Sequence, residues 1–209
     1  MPDTLTSPPL VPQTAKERGK VAPAKLAHIV FRTSQYEEMV KWYQTVLEAE
    51  VVLGTPMVSF LTYDEEHHRV AIANMPGLQP PPPQTTGVQH CAFTYEDLDD
   101  LFATYERLKG VGIAPFWTIN HGGTLSLYYH DPDHNEIELQ VDVFETNEGL
   151  TEWFVQSDFD LNPVGVKVDI DALIERYRAG ESRESILERP RIDPSEVMAQ
   201  FPTPVFLEG

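Results

Sequence analysis

The sequence predicts an α+β fold in which two βαβββ modules form a cupped mixed sheet and a C-terminal extension follows. Two similar segments, HIVF at 28–31 and HCAF at 90–93, each open a strand that is followed by a helical pattern. Three short β-type runs come after each helix, so the two halves have the same order of elements. The Pro-rich stretch GLQPPPP at 77–83 separates them, and such a stretch prefers extended geometry. We therefore predict an internal duplication.

The first module is predicted over residues 24–76, after an N-terminal arm at 1–23. Its first strand, 26–32, leads into a helix for which Ser34 offers an N-cap and Glu37 completes a capping box. The helix carries one apolar stripe at helical spacing, formed by Tyr36, Met39, Val40, Tyr43 and Leu47. The β-type runs after it lie around 50–54, 57–63 and 67–75.

The second module is predicted over residues 88–144, after a linker at 77–87. Its first strand spans 87–94, and Thr94 or Asp97 can cap the helix that follows. The stripe of this helix consists of Leu98, Leu101, Phe102, Tyr105 and Leu108, and the helix ends near Gly110. The β-type runs after it lie around 113–119, 123–130 and 135–143.

The remaining residues, 145–209, are rich in Pro, Asp and Glu. They contain one short helical pattern, 169–179, which Gly180 ends. We predict an extension that wraps the core rather than a second domain.

Composition excludes several classes of partner. The chain has 33 acidic and 15 basic residues and a net charge of −18, which would repel the phosphates of nucleic acid. Neither a membrane-spanning run, which needs about 18 apolar residues, nor a secretory signal is evident. The single cysteine, Cys91, cannot form an internal disulfide and fits a reducing compartment, so we predict a cytoplasmic protein.

Two histidines and one glutamate are candidate metal ligands. His28 and His90 lie at matching places in the two modules. Glu138 alternates with the apolar residues of its strand and therefore lies on the face away from the core. Taken alone, a strand histidine is more often a hydrogen-bonded core residue and a strand glutamate a solvated one. Together, two imidazoles and one carboxylate suit a facial iron(II) site that leaves positions open for substrate and dioxygen.

The segment around residues 120–139 carries a multi-position pattern. It reads Ile119-x-His121, Leu127-Tyr128, Asp131-Pro132 and Glu138. On these residues the chain resembles the vicinal oxygen chelate superfamily and, within it, single-domain type I extradiol ring-cleavage dioxygenases. The resemblance covers roughly residues 25–143. It departs at His134, where the family has Gly or Pro, and we expect a left-handed backbone there.

The resemblance implies a metal site, a reaction and its partners. It implies iron(II), with manganese(II) suiting the same ligands, bound by His28, His90 and Glu138. His121 and Tyr128 would lie beside substrate and oxygen. His68, in the pair His67–His68, would be the acid/base; the alternative is a surface histidine pair. The substrates would be a small catechol-type aromatic diol and O2, and the ring would open next to the hydroxyl groups.

Two other functions remain open at this point. One is a metal-dependent transferase or isomerase of the same fold, and the other is a non-enzymatic protein that sequesters small aromatic drugs. Matching the modules from Asp131 to Asp64 puts Ala71 opposite Glu138, to within one residue, where glyoxalase and epimerase relatives use a fourth carboxylate ligand. The absence of this fourth ligand favours oxygen chemistry.

Three further predictions concern cofactors, the pocket and assembly. No organic cofactor is predicted. Trp117 or Phe116 could line the substrate pocket. Exposed sheet edges and long tails suggest a homodimer or higher homo-oligomer.

Overall fold

The computed structural model describes residues 19, 23–80, 82 and 85–202. Most of the predicted N-terminal arm, part of the predicted linker and the end of the predicted extension lie outside these residues. Within the described ranges, nine strands form two mixed sheets, accompanied by five α-helices and one 3-10 helix. Every helix in those ranges is too short or too polar to cross a bilayer.

The first half forms a four-stranded sheet. In chain order it contains β1 (Ile29–Thr33), α1 (Tyr36–Leu47), β2 (Glu50–Gly54), β3 (Val58–Thr62) and β4 (Val70–Asn74). The strands are ordered β1-β4-β3-β2, with β1 parallel to β4 and the other pairs antiparallel. The βαβββ order predicted for this half is therefore confirmed.

The second half repeats this plan and extends it by one strand. It contains β5 (His90–Tyr95), α2 (Leu98–Gly110), β6 (Trp117–Asn120), β7 (Thr124–His130) and β8 (Glu136–Asp142). Its sheet has the order β5-β8-β7-β6-β9, and β5 is parallel to β8 as β1 is to β4. The α+β class and the duplication are thus confirmed.

The extension has more regular structure than the sequence predicts. Its elements are α3 (Asn147–Gln156), β9 (Val166–Lys167), α4 (Ile170–Arg178), α5 (Arg183–Leu187) and a 3-10 helix (Pro194–Gln200). The predicted helix is α4, and Asp169 caps it by accepting a hydrogen bond from the Ala172 amide at 3.1 Å. Strand β9 pairs with β6, so the extension becomes part of the second sheet.

One apolar core joins both halves and the extension. Ile137, Leu139 and Val141 point into it from β8, while helices α1, α2, α4 and α5 cover it. Two polar contacts join α1 and its N-cap to the turn before β8. The Tyr43 hydroxyl donates to the Asp131 carboxylate at 3.1 Å, and the side-chain amide of Gln35 donates to the Pro132 carbonyl at 2.8 Å. The two sheets therefore share a core as well as a plan.

The helix starts agree with the sequence in one module and differ in the other. Asp97 caps α2 as predicted, accepting from the Asp100 amide at 2.9 Å. The capping box predicted from Ser34 and Glu37 is wrong, because α1 begins one residue later than that box requires. Its N-cap is Gln35, whose side chain makes no capping hydrogen bond. The Thr33 hydroxyl instead accepts a hydrogen bond from the backbone amide of Gln35 at 2.7 Å.

Candidate active site

Glu138 is a buried carboxylate in the middle of β8. It is 4% exposed, and its neighbours across the sheet are Ala92 on β5 and Tyr128 on β7. Because strand residues alternate faces, Glu138 points away from the core that Ile137 and Leu139 enter. A buried carboxylate is costly unless it is paired.

His90, at the start of β5, supplies the contact to this carboxylate. Its Nε2 lies 2.9 Å from a Glu138 oxygen. Its other nitrogen, Nδ1, contacts the amide oxygen of Gln89, whose amide nitrogen contacts Glu136. Since an amide oxygen only accepts, Nδ1 carries a hydrogen, and Nε2 is the nitrogen that faces the carboxylate.

A cation between His90 Nε2 and Glu138 would satisfy both groups. Two neighbouring ligands at about 2.1 Å from an octahedral ion lie about 3 Å apart, close to the separation here. An imidazole and a carboxylate are also ligand types that iron(II) accepts. The pair therefore fits part of a metal site.

Tyr128 and His121 lie on the other side of Glu138. The Tyr128 hydroxyl is 3.1 Å from His121 Nε2, and the Tyr128 ring packs edge-on against the His90 ring at 5.4 Å. Burial, then the charge of Glu138 and a hydrogen bond to it, raise the pKa of Tyr128 far above its ordinary value of 10. The phenol therefore stays protonated and can donate a hydrogen bond.

His121 follows β6, and a residue of the C-terminal extension binds its ring. Its Nδ1 contacts the carbonyl oxygen of Val164, and burial is the main cause that lowers its pKa below 6.5. A carbonyl can only accept, so Nδ1 carries the hydrogen and Nε2 faces Tyr128. His121 is thus a neutral imidazole with a defined tautomer.

His28 and His68 lie together on the first sheet. Their rings are 4.4 Å apart, and His68 also packs on Phe60 at 4.6 Å. His28 is exposed and lies one residue before β1. Partial burial, then the neighbouring His28 and His67, lower the pKa of His68 below 6.5, so its imidazole is neutral at pH 7.

The predicted site residues thus form two groups. One contains His90, Glu138, Tyr128 and His121, and the other contains His28 and His68. In the part of the chain that the structure describes, no three His, Cys, Asp or Glu side chains come close enough to hold a metal ion. The structure joins two of the three predicted ligands and does not bring His28 to them.

The sheet registers confirm that Ala71 is the counterpart of Glu138. Val30 faces Ala71 across β1 and β4, and Ala92 faces Glu138 across β5 and β8. Val30 and Ala92 occupy the same place in HIVF and HCAF. The position of a fourth carboxylate ligand therefore holds a methyl group.

The turn between β7 and β8 confirms the conformation expected at His134. Its φ is 64°, in the left-handed region. The Asp131 carboxylate stabilises the turn by accepting from the backbone amides of Asp133 and Asn135 at 3.0 and 2.8 Å. The departure from the family pattern at His134 thus leaves β8, and Glu138 on it, in place.

Aromatic side chains border the Tyr128 side of the site. The Trp117 ring lies 4.7 Å from Tyr128 and edge-on to His121 at 5.6 Å, and its indole N–H donates to the Gln200 carbonyl at 2.8 Å. Phe116 lies 6.3 Å from Tyr128. These flat apolar faces suit an aromatic ligand. The contacts from Val164, Gln89 and Gln200 were missed by sequence reasoning, since two use backbone carbonyls and none belongs to a motif.

Acidification is expected to destabilise the protein through two half-buried histidines, His121 and His130. Burial is the largest cause that lowers the pKa of both His121 and His130 below 6.5. Below that pH the unfolded chain binds more protons than the folded one, so the free energy of unfolding falls as pH drops. Urea unfolding at pH 7 and pH 5 measures this, and His121→Gln should reduce the difference. A pH dependence unchanged in that variant would show that His121 does not contribute.

Comparisons with known proteins give the family. The model of the Glyoxalase/Bleomycin resistance protein/Dioxygenase superfamily matches residues 25–139. The chain is 45% identical over 160 residues to biphenyl-2,3-diol 1,2-dioxygenase 2 of Rhodococcus globerulus, covering 76% of this chain and 84% of that protein. It is 40% identical over 185 residues to biphenyl-2,3-diol 1,2-dioxygenase 3 of the same organism, covering 86% and 97%.

A solved structure is similar at a lower level. It is a glyoxylase/bleomycin resistance protein/dioxygenase domain from Frankia sp. EAN1pec, 18% identical, with a TM-score of 0.49 over 58% of this chain and 99% of that one. The two dioxygenase relatives set aside the transferase, isomerase and drug-binding alternatives. The chain belongs to the glyoxalase/bleomycin resistance protein/dioxygenase superfamily and, within it, to the metal-dependent type I extradiol ring-cleavage dioxygenases, oxidoreductases that incorporate both atoms of O2.

Proposed function

We propose that this protein is an iron(II)-dependent dioxygenase that cleaves a catechol-type aromatic diol next to its vicinal hydroxyl groups. The observation that carries the proposal is the pairing of His90 Nε2 with the buried Glu138 carboxylate at 2.9 Å, with Tyr128 and His121 beside it. The names of the two Rhodococcus globerulus relatives make biphenyl-2,3-diol the first substrate to test.

His28, His90 and Glu138 are the proposed ligands. His90 and Glu138 are supported by their contact, and His28 by its matching position at the start of the first module. Ala71, in place of a fourth carboxylate, supports a three-ligand set with positions left for substrate and oxygen. Manganese(II) suits the same ligands and is the alternative metal.

The residues around the pair have defined tasks in this proposal. Bound iron(II) would supply the path for electron density from the diol to dioxygen. Tyr128, which stays protonated, turns its single hydrogen from His121 Nε2 to a substrate oxygen and so orients the ring. The freed Nε2 lone pair of His121 accepts a proton that a diol hydroxyl releases, and the protonated ring then donates a hydrogen bond that stabilises charge developing on oxygen. The Trp117 ring, against Tyr128, excludes water from one side of the substrate.

His68 is the proposed acid/base. Its lowered pKa keeps it neutral at pH 7, so it can accept a proton from a diol hydroxyl and return it later. We expect His68→Phe to bind as much iron as the wild type and to slow turnover by about 100-fold or more. The control is Glu65→Gln, an exposed side chain of the same loop, which should be within a few-fold of wild type. Equal turnover in the wild type and His68→Phe would remove His68 from the mechanism.

Location and assembly follow from simpler features. We propose a cytoplasmic protein, because the chain has the single cysteine Cys91. We also propose a homodimer or higher homo-oligomer, because the edge strand β2 is exposed along its length and carries Val51, Val52 and Leu53.

The test is an aerobic assay of the anaerobically purified protein. Metal is removed, and iron(II) or manganese(II) is added back before biphenyl-2,3-diol and catechol are supplied. We expect oxygen uptake and a yellow ring-fission product that depend on iron(II). Turnover with manganese(II) alone would replace the metal in the proposal, and no turnover across a catechol panel with metal bound would contradict the reaction.

A further inference from the structure

The hydrogen bond that orients His121 comes from a loop of the extension, residues 162–165. This loop lies beyond residue 139, where the match to the family model ends. The Val164 carbonyl accepts from His121 Nδ1 and so determines which nitrogen faces Tyr128. What holds Val164 in place therefore determines how His121 is presented.

Asn162 holds this loop together from inside. It is 2% exposed, and its side-chain oxygen accepts from the Val164 and Gly165 amides at 3.2 and 2.9 Å. Its side-chain nitrogen donates to the Gly165 carbonyl at 2.9 Å. Both polar atoms of this buried side-chain amide thus bind Val164, whose carbonyl contacts His121, or the next residue, Gly165.

Two further residues help to hold the loop in place, Gly165 against β6 and Arg189 within the extension. Gly165 has a φ of 114°, and a Cβ there would lie 2.4 Å from the Asn120 carbonyl oxygen, so glycine allows the loop to approach directly before His121. Arg189, whose side chain is 3% exposed, donates to the Asn162 carbonyl at 2.8 Å and pairs with Asp158. The backbone around Asn162 is therefore fixed from both sides, by its own side chain and by Arg189.

We propose that Asn162 is a positioning residue for the dioxygenase reaction. Through the Val164 carbonyl it keeps His121 in the Nδ1–H tautomer, with Nε2 directed at the Tyr128 hydroxyl. This inference rests on the proposed role of His121 beside the substrate. It gives the C-terminal extension a part in catalysis, in addition to the residues that it contributes to the apolar core.

The test combines kinetics with the ring signals of His121. In Asn162→Ala we expect kcat to fall about 10- to 100-fold, because small displacements of a catalytic group are costly, while KM and iron content stay within a few-fold. Asn147→Ala, an exposed asparagine of the same extension, is the control and should match the wild type. In the His121→Gln background, Asn162→Ala should cause no further loss of kcat.

A readout without turnover separates this inference from the proposed function. Nitrogen-15 NMR spectra are recorded on the full-length, metal-free protein, and the His121 signals are assigned by their loss in His121→Gln. The wild type should show a hydrogen on Nδ1, and Asn162→Ala should show a larger share of the ring with the hydrogen on Nε2. Arg189→Lys, which loosens the loop less, should give a smaller change of the same kind and serves if Asn162→Ala does not fold. If the wild type turns over no diol, the proposed function fails, but these spectra still show whether Asn162 determines the tautomer of His121.

Two results would overturn the proposal. One is an unchanged His121 tautomer in both loop variants. The other is a loss of kcat in Asn162→Ala that is equally large with and without His121, because that loss would reflect general disruption of the fold.

Discussion

Replacing Glu138 by glutamine is expected to weaken iron(II) binding by at least about 100-fold and to abolish turnover at limiting metal. Glutamine keeps the size of the side chain and removes its charge. In the folded protein Glu138 is 4% exposed and its carboxylate lies 2.9 Å from His90 Nε2. The iron retained after dialysis against a chelator, and kcat with iron added back, measure the effect.

Asp142→Asn is the control for the Glu138 variant. Asp142 ends the same strand on the same face, is exposed, and loses the same single charge. Its iron content and kcat should match those of the wild type. Normal iron retention in Glu138→Gln would show that this carboxylate is not a ligand, whatever its effect on turnover.

Replacing Tyr128 by phenylalanine should slow ring opening by about 100-fold while the protein keeps its fold and its iron. The hydroxyl is the donor that contacts His121 at 3.1 Å, and its raised pKa keeps its hydrogen in place at any working pH. Single-turnover kinetics with biphenyl-2,3-diol would measure the step, and circular dichroism with iron analysis would confirm the intact protein.

Tyr129→Phe is the matched control for the Tyr128 variant. Tyr129 is the next residue on β7, faces the core, and its buried hydroxyl has no hydrogen-bond partner among the described residues. Removing that hydroxyl should leave turnover unchanged and leave stability equal or slightly higher. If the two variants behave alike, the role assigned to Tyr128 is wrong.

Strand periodicity and the duplication were enough to predict the frame of the site. Because strand residues alternate faces, the apolar residues of β8 determine which way Glu138 points. Matching Asp131 of the second module to Asp64 of the first correctly predicted Ala71 as the counterpart of Glu138. His134 was also predicted correctly, since its left-handed φ follows from the position of the turn between β7 and β8.

Contacts made by backbone atoms could not be predicted. The Val164 carbonyl that orients His121 is 43 residues away in the chain, and any residue type carries a carbonyl group. The start of α1 was wrong because Ser34 and Thr33 are both able to bond a nearby amide, and sequence does not reveal which one does so. For His28, a matching position in the duplication does not give its distance from Glu138.

The most direct test of the central claim is turnover of biphenyl-2,3-diol under oxygen-18 gas by the iron(II)-loaded protein, followed by mass spectrometry of the product. Extradiol cleavage predicts a ring-opened acid with a new ketone or aldehyde carbonyl, into which both atoms of one O2 molecule have been incorporated. A product that carries no oxygen from the gas, or unreacted diol in the presence of bound iron, would contradict it.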